Sequence, residues 1–197
     1  MEESLTKCNL AFIDGQNLHL GTTKCQVCAK RKNIEFRRFK ISDCDCGFAW
    51  KVDLFKFRRF LSDKYHVTKA YYFLGFLDDN NQSLYKDLGK AGFKVIFRAH
   101  SKSMSGNKKG NVDTDIVFEM MRNVLENKRL GKIVLVSGDG DYYKTIKFLD
   151  RKGYFLHILF PNGRTASSLY NDISSKNKTS LNRVRKKIEY KKKKGHC

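Results

Sequence analysis

The sequence predicts an α/β sandwich built on a mainly parallel sheet of five strands. Two observations carry that prediction. Five short runs are apolar throughout instead of alternating, as expected of strands covered by helices on both faces. Between them lie segments with apolar residues at helical spacing, so strand and helix alternate along the chain with right-handed crossovers.

The first run, residues 10–13, is Leu-Ala-Phe-Ile and stops at Asp14. A helical pattern over 53–64 precedes the second run, 67–74, which is rich in Tyr, Phe and Val. A helix over 82–90 then leads through Gly92 into the third run, 93–97. The helix expected over 114–127 carries a stripe of Ile116, Val117, Met120, Met121, Val124 and Leu125. Such a stripe is a core face before it is a cofactor contact. The fourth run, 133–136, ends at Ser137-Gly138, and a helix over 142–151 buries Ile146 and Leu149 before closing at Gly153. The last run, 154–160, ends at Pro161. No internal repeat interrupts this order.

Three segments depart from the rhythm. Residues 22–47 hold four of the six cysteines and read as an insertion after the first strand. Residues 99–111 form a Ser/Lys/Gly/Asn loop with Lys102, Lys108 and Lys109. Residues 176–197 contain ten Lys or Arg against the single acid Glu189. Leu181, Val184 and Ile188 support a turn or two of helix there, but the charge run predicts a solvated, mobile tail. The expected organisation is one domain over 1–175 followed by that tail.

The 197 residues suffice for one domain with modest extras. A hydrophobic share of 41% and an aromatic share of 13% exclude a wholly disordered chain. No run approaches the roughly 18 apolar residues of a membrane span. The opening Met1-Glu2-Glu3-Ser4 does not read as a secretory signal, so the cytosol is the expected compartment. The net charge of +20 points to a polyanionic partner, most commonly nucleic acid. An anionic membrane surface fits less well, because no basic amphipathic helix offers a bulky apolar face.

Function in a parallel α/β sheet gathers beyond the carboxyl ends of the strands. Acids stand there in three places. Asp14 follows the first strand in Asp14-Gly15-Gln16-Asn17; Asp139 and Asp141 follow the fourth; Asp113 and Asp115 open the third helix. Singly, each has a structural explanation, as a turn residue or a helix cap. Together they form a set of like charges, provided the first and fourth strands are neighbours. A divalent cation relieves such repulsion, and all-oxygen donors favour Mg²⁺ or Mn²⁺.

Three blocks make the pattern specific: Phe12-Ile13-Asp14-Gly15-Gln16-Asn17-Leu18, Lys109-Gly110-Asn111-Val112-Asp113-Thr114-Asp115, and Val136-Ser137-Gly138-Asp139-Gly140-Asp141-Tyr142. In order and spacing, over roughly residues 8–172, they resemble the NYN domain of the LabA-like type within the PIN-like nuclease superfamily. The resemblance implies a PIN-like three-layer fold with strand order 3-2-1-4-5 and metal-dependent hydrolysis of RNA, leaving a 5′-phosphate and a 3′-hydroxyl. It implies Asp14, Asp113, Asp139 and Asp141 as ligands of Mg²⁺ or Mn²⁺, Asn17 as a supporting polar residue, and Asp115 and Glu119 as further acids. DNA is an alternative substrate.

Two other readings stay open. One is a nucleic-acid-binding module of the same fold with weak or no catalysis. The other is a phosphohydrolase with Asp14 as nucleophile, which commonly wants a second acid two residues on, where Gln16 stands.

Cys25-x-x-Cys28 and Cys44-x-Cys46 bracket 15 residues. In a cytosolic chain they are either four reduced thiols or the ligands of one structural zinc, with Ile34, Phe36, Phe39 and Ile41 forming a minimal hairpin. Cys8 is expected in the core and Cys197 as a tail thiol. The expected phosphate contacts are Arg37 and Arg38 of the insertion, Lys102, Lys108 and Lys109 of the loop, and Lys186 and Lys187 of the tail. Phe36 and Phe39 either stack on unpaired bases or pack beneath the insertion.

Overall fold

The computed structural model describes residues 7–75, 77–98 and 112–191. Its sheet has six strands: β1 Cys8–Asp14, β2 Val67–Leu74, β3 Phe93–Phe97, β4 Leu130–Val136, β5 Phe155–Phe160 and β6 Lys178–Ser180. Their order is β3-β2-β1-β4-β5-β6, and every neighbouring pair is parallel. The first five strands thus lie in the predicted order 3-2-1-4-5, with one strand more than expected.

Among the described residues seven α-helices accompany the sheet: α1 Gly15–Thr23, α2 Gln26–Arg31, α3 Leu54–Tyr65, α4 Gln82–Lys90, α5 Val112–Glu126, α6 Tyr143–Arg151 and α7 Leu181–Ile188. The pleat of β1 divides the core between its two faces. Ala11 and Ile13 look toward Leu18 of α1, Phe57 and Leu61 of α3, Leu88 of α4, and Leu181 and Ile188 of α7. Leu10 and Phe12 look toward Ile116 and Met120 of α5 and Ile146 and Leu149 of α6. Both faces of the central strands are therefore dry, which is why their sequences do not alternate.

Helix α1 was not legible as such. Its apolar content is Leu18 and Leu20, too little to print a stripe, and it starts on a glycine. That glycine is required by close packing: a Cβ on Gly15 would lie 2.5 Å from the Tyr72 ring and 2.6 Å from the Phe73 carbonyl oxygen. The insertion leaves the domain after Thr23 and returns at Trp50, whose N–H donates to the Thr22 carbonyl at 2.8 Å. It contains α2 and a 3-10 turn over Ile41–Asp43, so the hairpin expected from Ile34, Phe36, Phe39 and Ile41 does not form. Phe39 is buried beneath the insertion, whereas Phe36 and Ile41 each keep 37% of their surface.

The expectation of a mobile tail fails for residues 178–188. They supply β6, paired to β5 through Ile158↔Lys178, and α7, which packs on α3. Leu181 and Ile188 are fully buried, and Asn182 Oδ1 accepts from the Trp50 indole at 3.0 Å. The charges mislead because they occupy the outer positions, Arg183, Lys186 and Lys187, of an amphipathic helix. Residues 192–197 lie outside the described residues.

Leu181→Ala should cost about 2–5 kcal/mol, the range for truncating a fully buried leucine. Urea denaturation will check this, and a chain ending before residue 178 should fail to give a cooperative transition. Wild-type stability in either variant would show that α7 is not part of the core.

Candidate active site

Parallel pairing of β1 with β4, Ile13 opposite Val136, brings their carboxyl ends together. Asp14 is the last residue of β1 and also caps α1, its Oδ1 accepting from the Asn17 N–H at 2.9 Å. It is 5% exposed. Ser137 Oγ lies 3.4 Å and Tyr142 Oη 3.3 Å from its Oδ2. Tyr142 also donates to Asp113 Oδ1 on the first turn of α5. The one phenolic hydroxyl thus stands within hydrogen-bond reach of both carboxylates.

Asp139 begins a 3-10 turn over Gly140–Tyr142, its Oδ1 accepting from the Asp141 N–H at 3.1 Å. The same turn buries Tyr142 completely. Tyr170 donates to the Asp139 carbonyl oxygen and closes the turn from behind. Asp113, Asp139 and Asp141 each offer a carboxylate oxygen within 4.8 Å of the others. Two elements distant in sequence thus deliver three hard donors to one point, with Asp14 one tyrosine hydroxyl away. The set is able to hold a divalent cation.

A model of the NYN domain matches residues 10–175, which takes in both acid-bearing strand ends and the start of α5. The chain belongs to the NYN domain family. LabA, the low amplitude and bright protein of Synechococcus elongatus, is 30% identical to this NYN protein over 131 residues, covering 62% of this chain and 67% of LabA. A protein of unknown function from Vibrio parahaemolyticus has the same fold, with a TM-score of 0.63 at 15% identity over 96% of this chain and all of its own. The fold is therefore the PIN-like α/β fold of this nuclease family, carrying an acidic cluster at its expected end.

The sequence-predicted residues of the NYN domain separate into groups. Asp113, Asp139 and Asp141 converge, and Asp14 lies directly behind them. Asn17 bridges two loops, its Oδ1 accepting from the Gly138 N–H at 2.9 Å. Asp115 is half-buried, one position beyond Thr114 in the first turn of α5 and outside the converging trio. Glu119 is paired with Arg122 at 2.7 Å. Arg37, Arg38, Lys186 and Lys187 are exposed, while Lys102, Lys108 and Lys109 lie outside the described residues. Sequence reasoning missed Tyr142 and Ser137 as parts of the site. Their only signal is adjacency to the acids, since a tyrosine beginning a helix reads as core.

Beside the acids, a cleft of about 250 Å³ lies between Asn17, Gly138 and Asn162 on one side and Lys24, Gln26 and Phe36 of the insertion on the other. Within the insertion, the four sulfurs of Cys25, Cys28, Cys44 and Cys46 lie within 4.8 Å of one another, a second donor set able to hold a metal ion. The Phe48 N–H and neighbouring thiols hold the Cys46 thiol down at about 7.

Burial, with the charge of Asp113 added, raises Asp14 from 3.8 to about 6, against the opposing hydrogen bonds of Asn17, Tyr142 and Ser137. Burial beside Asp14 likewise raises the Tyr142 phenol, which stays protonated. Because Asp14 holds its proton longer in the folded than in the unfolded chain, the metal-free protein should lose stability as pH rises from about 4 to about 6. The full loss is on the order of 2–3 kcal/mol above that window. In chelator, Asp14→Asn should therefore be more stable than wild type at pH 7, and the difference should vanish near pH 4. Denaturation at both pH values decides it; a less stable variant at pH 7 would mean that the charged form is well accommodated.

Proposed function

We propose that this NYN protein is a divalent-metal-dependent ribonuclease that hydrolyses phosphodiester bonds at the cluster of Asp14, Asp113, Asp139 and Asp141. The observation that carries the reading is the convergence of three carboxylates from α5 and the β4 turn within 4.8 Å, in a chain of net charge +20. A polyanion-binding protein gains nothing from gathering negative charge at a strand end unless a cation is to be held there. The all-oxygen donor set fits Mg²⁺ or Mn²⁺. Such an ion, when bound, polarises the phosphodiester and lowers the pKa of a coordinated water.

The protein's own groups prepare that chemistry. Asp113, Asp139 and Asp141 supply the donor oxygens, and the Asp139–Asp141 turn is fixed by its internal hydrogen bond and by Tyr170. Tyr142 orients Asp113 and separates it from Asp14, whose carboxylate the cation also favours in its charged form. Asn17 locks the Asp14 loop to the Gly138 loop, which keeps the two strand ends in register. Asp115, on the same first turn of α5 as Asp113, is a further acid of the site in this reading. Arg37 and Arg38, on the insertion beside the cleft, and Lys186 and Lys187 meet phosphates, as do Lys102, Lys108 and Lys109. RNA is the substrate class and the cytoplasm the site of action in this reading. Among the described residues no helix is long and apolar enough to cross a membrane.

Labelled single-stranded RNA, structured RNA and DNA, each incubated with Mg²⁺, Mn²⁺ or EDTA, provide the test. Cutting of RNA should require the metal and leave a 5′-phosphate. Asp139→Asn and Asp14→Asn should lower the rate about a hundredfold or more, and Tyr142→Phe by less, since it removes an orienting contact and no ligand. Binding without cleavage under every metal condition would make the protein an RNA-binding module of this fold.

A further inference from the structure

The insertion has little to hold it together. Its buried apolar side chains are Cys25, Cys28, Ala29, Phe39 and Ala49, with Ile34, Cys44 and Phe48 packed against them. One helix of six residues and one 3-10 turn are its only regular structure. Pieces of chain this short ordinarily require a covalent or metal crosslink to keep a single shape.

The thiols are placed as such a crosslink needs. The Sγ separations are 3.3 Å for Cys28–Cys46, 3.6 Å for Cys25–Cys46 and Cys44–Cys46, and 4.0 Å for Cys28–Cys44. Four thiolates at the corners of a tetrahedron around zinc, each about 2.3 Å from the ion, stand about 3.8 Å apart. Every separation is far longer than the roughly 2 Å of a disulfide. An iron–sulfur cluster interposes several iron and sulfide atoms and requires a wider cage.

Hydrogen-bond donors reach two of the four sulfurs. The Ala49 N–H donates to Cys44 Sγ at 3.3 Å, and the Arg31 guanidinium lies 3.8 Å from Cys28 Sγ. Asp45, whose Oδ1 is 3.2 Å from Cys28 Sγ, opposes this charge but is itself paired with Arg31 and with Lys32 at 3.4 Å. Donors around the ligands in this way fix their orientation and offset their charge.

We propose that Cys25, Cys28, Cys44 and Cys46 bind one zinc ion as four thiolates, and that this ion holds the insertion in place as a wall of the cleft beside Asn17 and Gly138. Four protein ligands close the coordination shell, so the site is structural and takes no part in hydrolysis. Lys24 joins the metal site to the cleft: it precedes Cys25, its ammonium donates to the Arg37 carbonyl at 2.9 Å and to that of Phe39, and it lines the cleft with Phe36.

The full chain, purified without chelator or added metal, should contain about one zinc per molecule by elemental analysis. Cobalt exchanged into the site should give the thiolate-to-metal charge-transfer absorption of a four-sulfur centre. Cys28→Ser and Cys44→Ser should each lose the metal, whereas Cys8→Ser and Asp139→Asn should keep it. The last variant separates this site from the carboxylate cluster, whose function can fail without affecting the zinc. Stripping zinc from the wild type should raise hydrogen exchange over residues 24–49 and leave β1 and β4 protected. A wild type without zinc and with four freely reactive thiols, zinc that survives both cysteine substitutions, or iron in its place would overturn the proposal. Unchanged exchange after stripping would overturn the role in holding the insertion.

Discussion

The burial of one carboxylate governs the carboxyl end of the sheet. Asp14 sits at 5% exposure where β1 meets β4, a place that costs free energy for any charge. The residues around it reduce that cost in three ways: the first turn of α1 donates an N–H, Ser137 offers a hydroxyl, and the Tyr142 hydroxyl lies within hydrogen-bond reach of Asp14 as well as Asp113. None of these offsets the burial fully, and the raised proton affinity of Asp14 is what remains of its cost, with the charge of Asp113 added. The site is thus destabilising as it stands, and a bound cation converts the same arrangement into a favourable one. Stability is given up locally where function needs charge, and the two dry faces of the sheet carry the cost.

Much of this was legible in the sequence, for identifiable reasons. Strands β1, β2, β4 and β5 are apolar on both faces because both faces are covered, and an unalternating run such as Leu10-Ala11-Phe12-Ile13 states that directly. Asp14 and Asp139 could be found because an acid that ends an apolar strand stands out against it. Residues whose roles depend on tertiary neighbours could not. Tyr142 is a first-turn helix residue until β4 is set beside β1, and only then does its hydroxyl fall between two acids. Helix α7 fails for the opposite reason: its exposed lysines and arginines are so dense that they hide Leu181, Val184 and Ile188, although these three alone carry the helical period. Composition averages over faces, and α7 is a helix whose faces disagree.

Trp50 links these parts of the molecule. Its N–H closes the insertion onto α1 at Thr22, its ring enters the core on the α3 and α7 side of the sheet, and its indole donates to Asn182 of α7. The Arg185 guanidinium covers the same ring, 5.6 Å from its centre, and donates to the Gly47 carbonyl at the end of the insertion. The basic C-terminal helix is thereby tied to the cysteine-rich segment. Two of the three regions that interrupt the α/β rhythm are thus one structural arrangement, built around a single buried indole.

The two donor sets are chemically distinct, and their separation has a consequence for any metal experiment. Carboxylates at the strand ends favour hard ions that exchange readily, whereas four thiolates favour a soft or borderline ion and leave it no open position. Asp141 is exposed, so the carboxylate set is open to solvent and to chelators. Cys25 and Cys28 are buried, Cys44 is half-buried and Cys46 is exposed, so what slows the loss of an ion from this set is its four thiolate bonds. Brief treatment with EDTA therefore acts on the carboxylate set first, and any cleavage lost under those conditions reports on the cluster of Asp14, Asp113, Asp139 and Asp141. Prolonged chelation, or a thiol-modifying reagent, also acts on the insertion and changes the wall of the cleft. A preparation that recovers activity with Mg²⁺ after the first treatment but not after the second would assign catalysis to the carboxylates and cleft geometry to the cysteines.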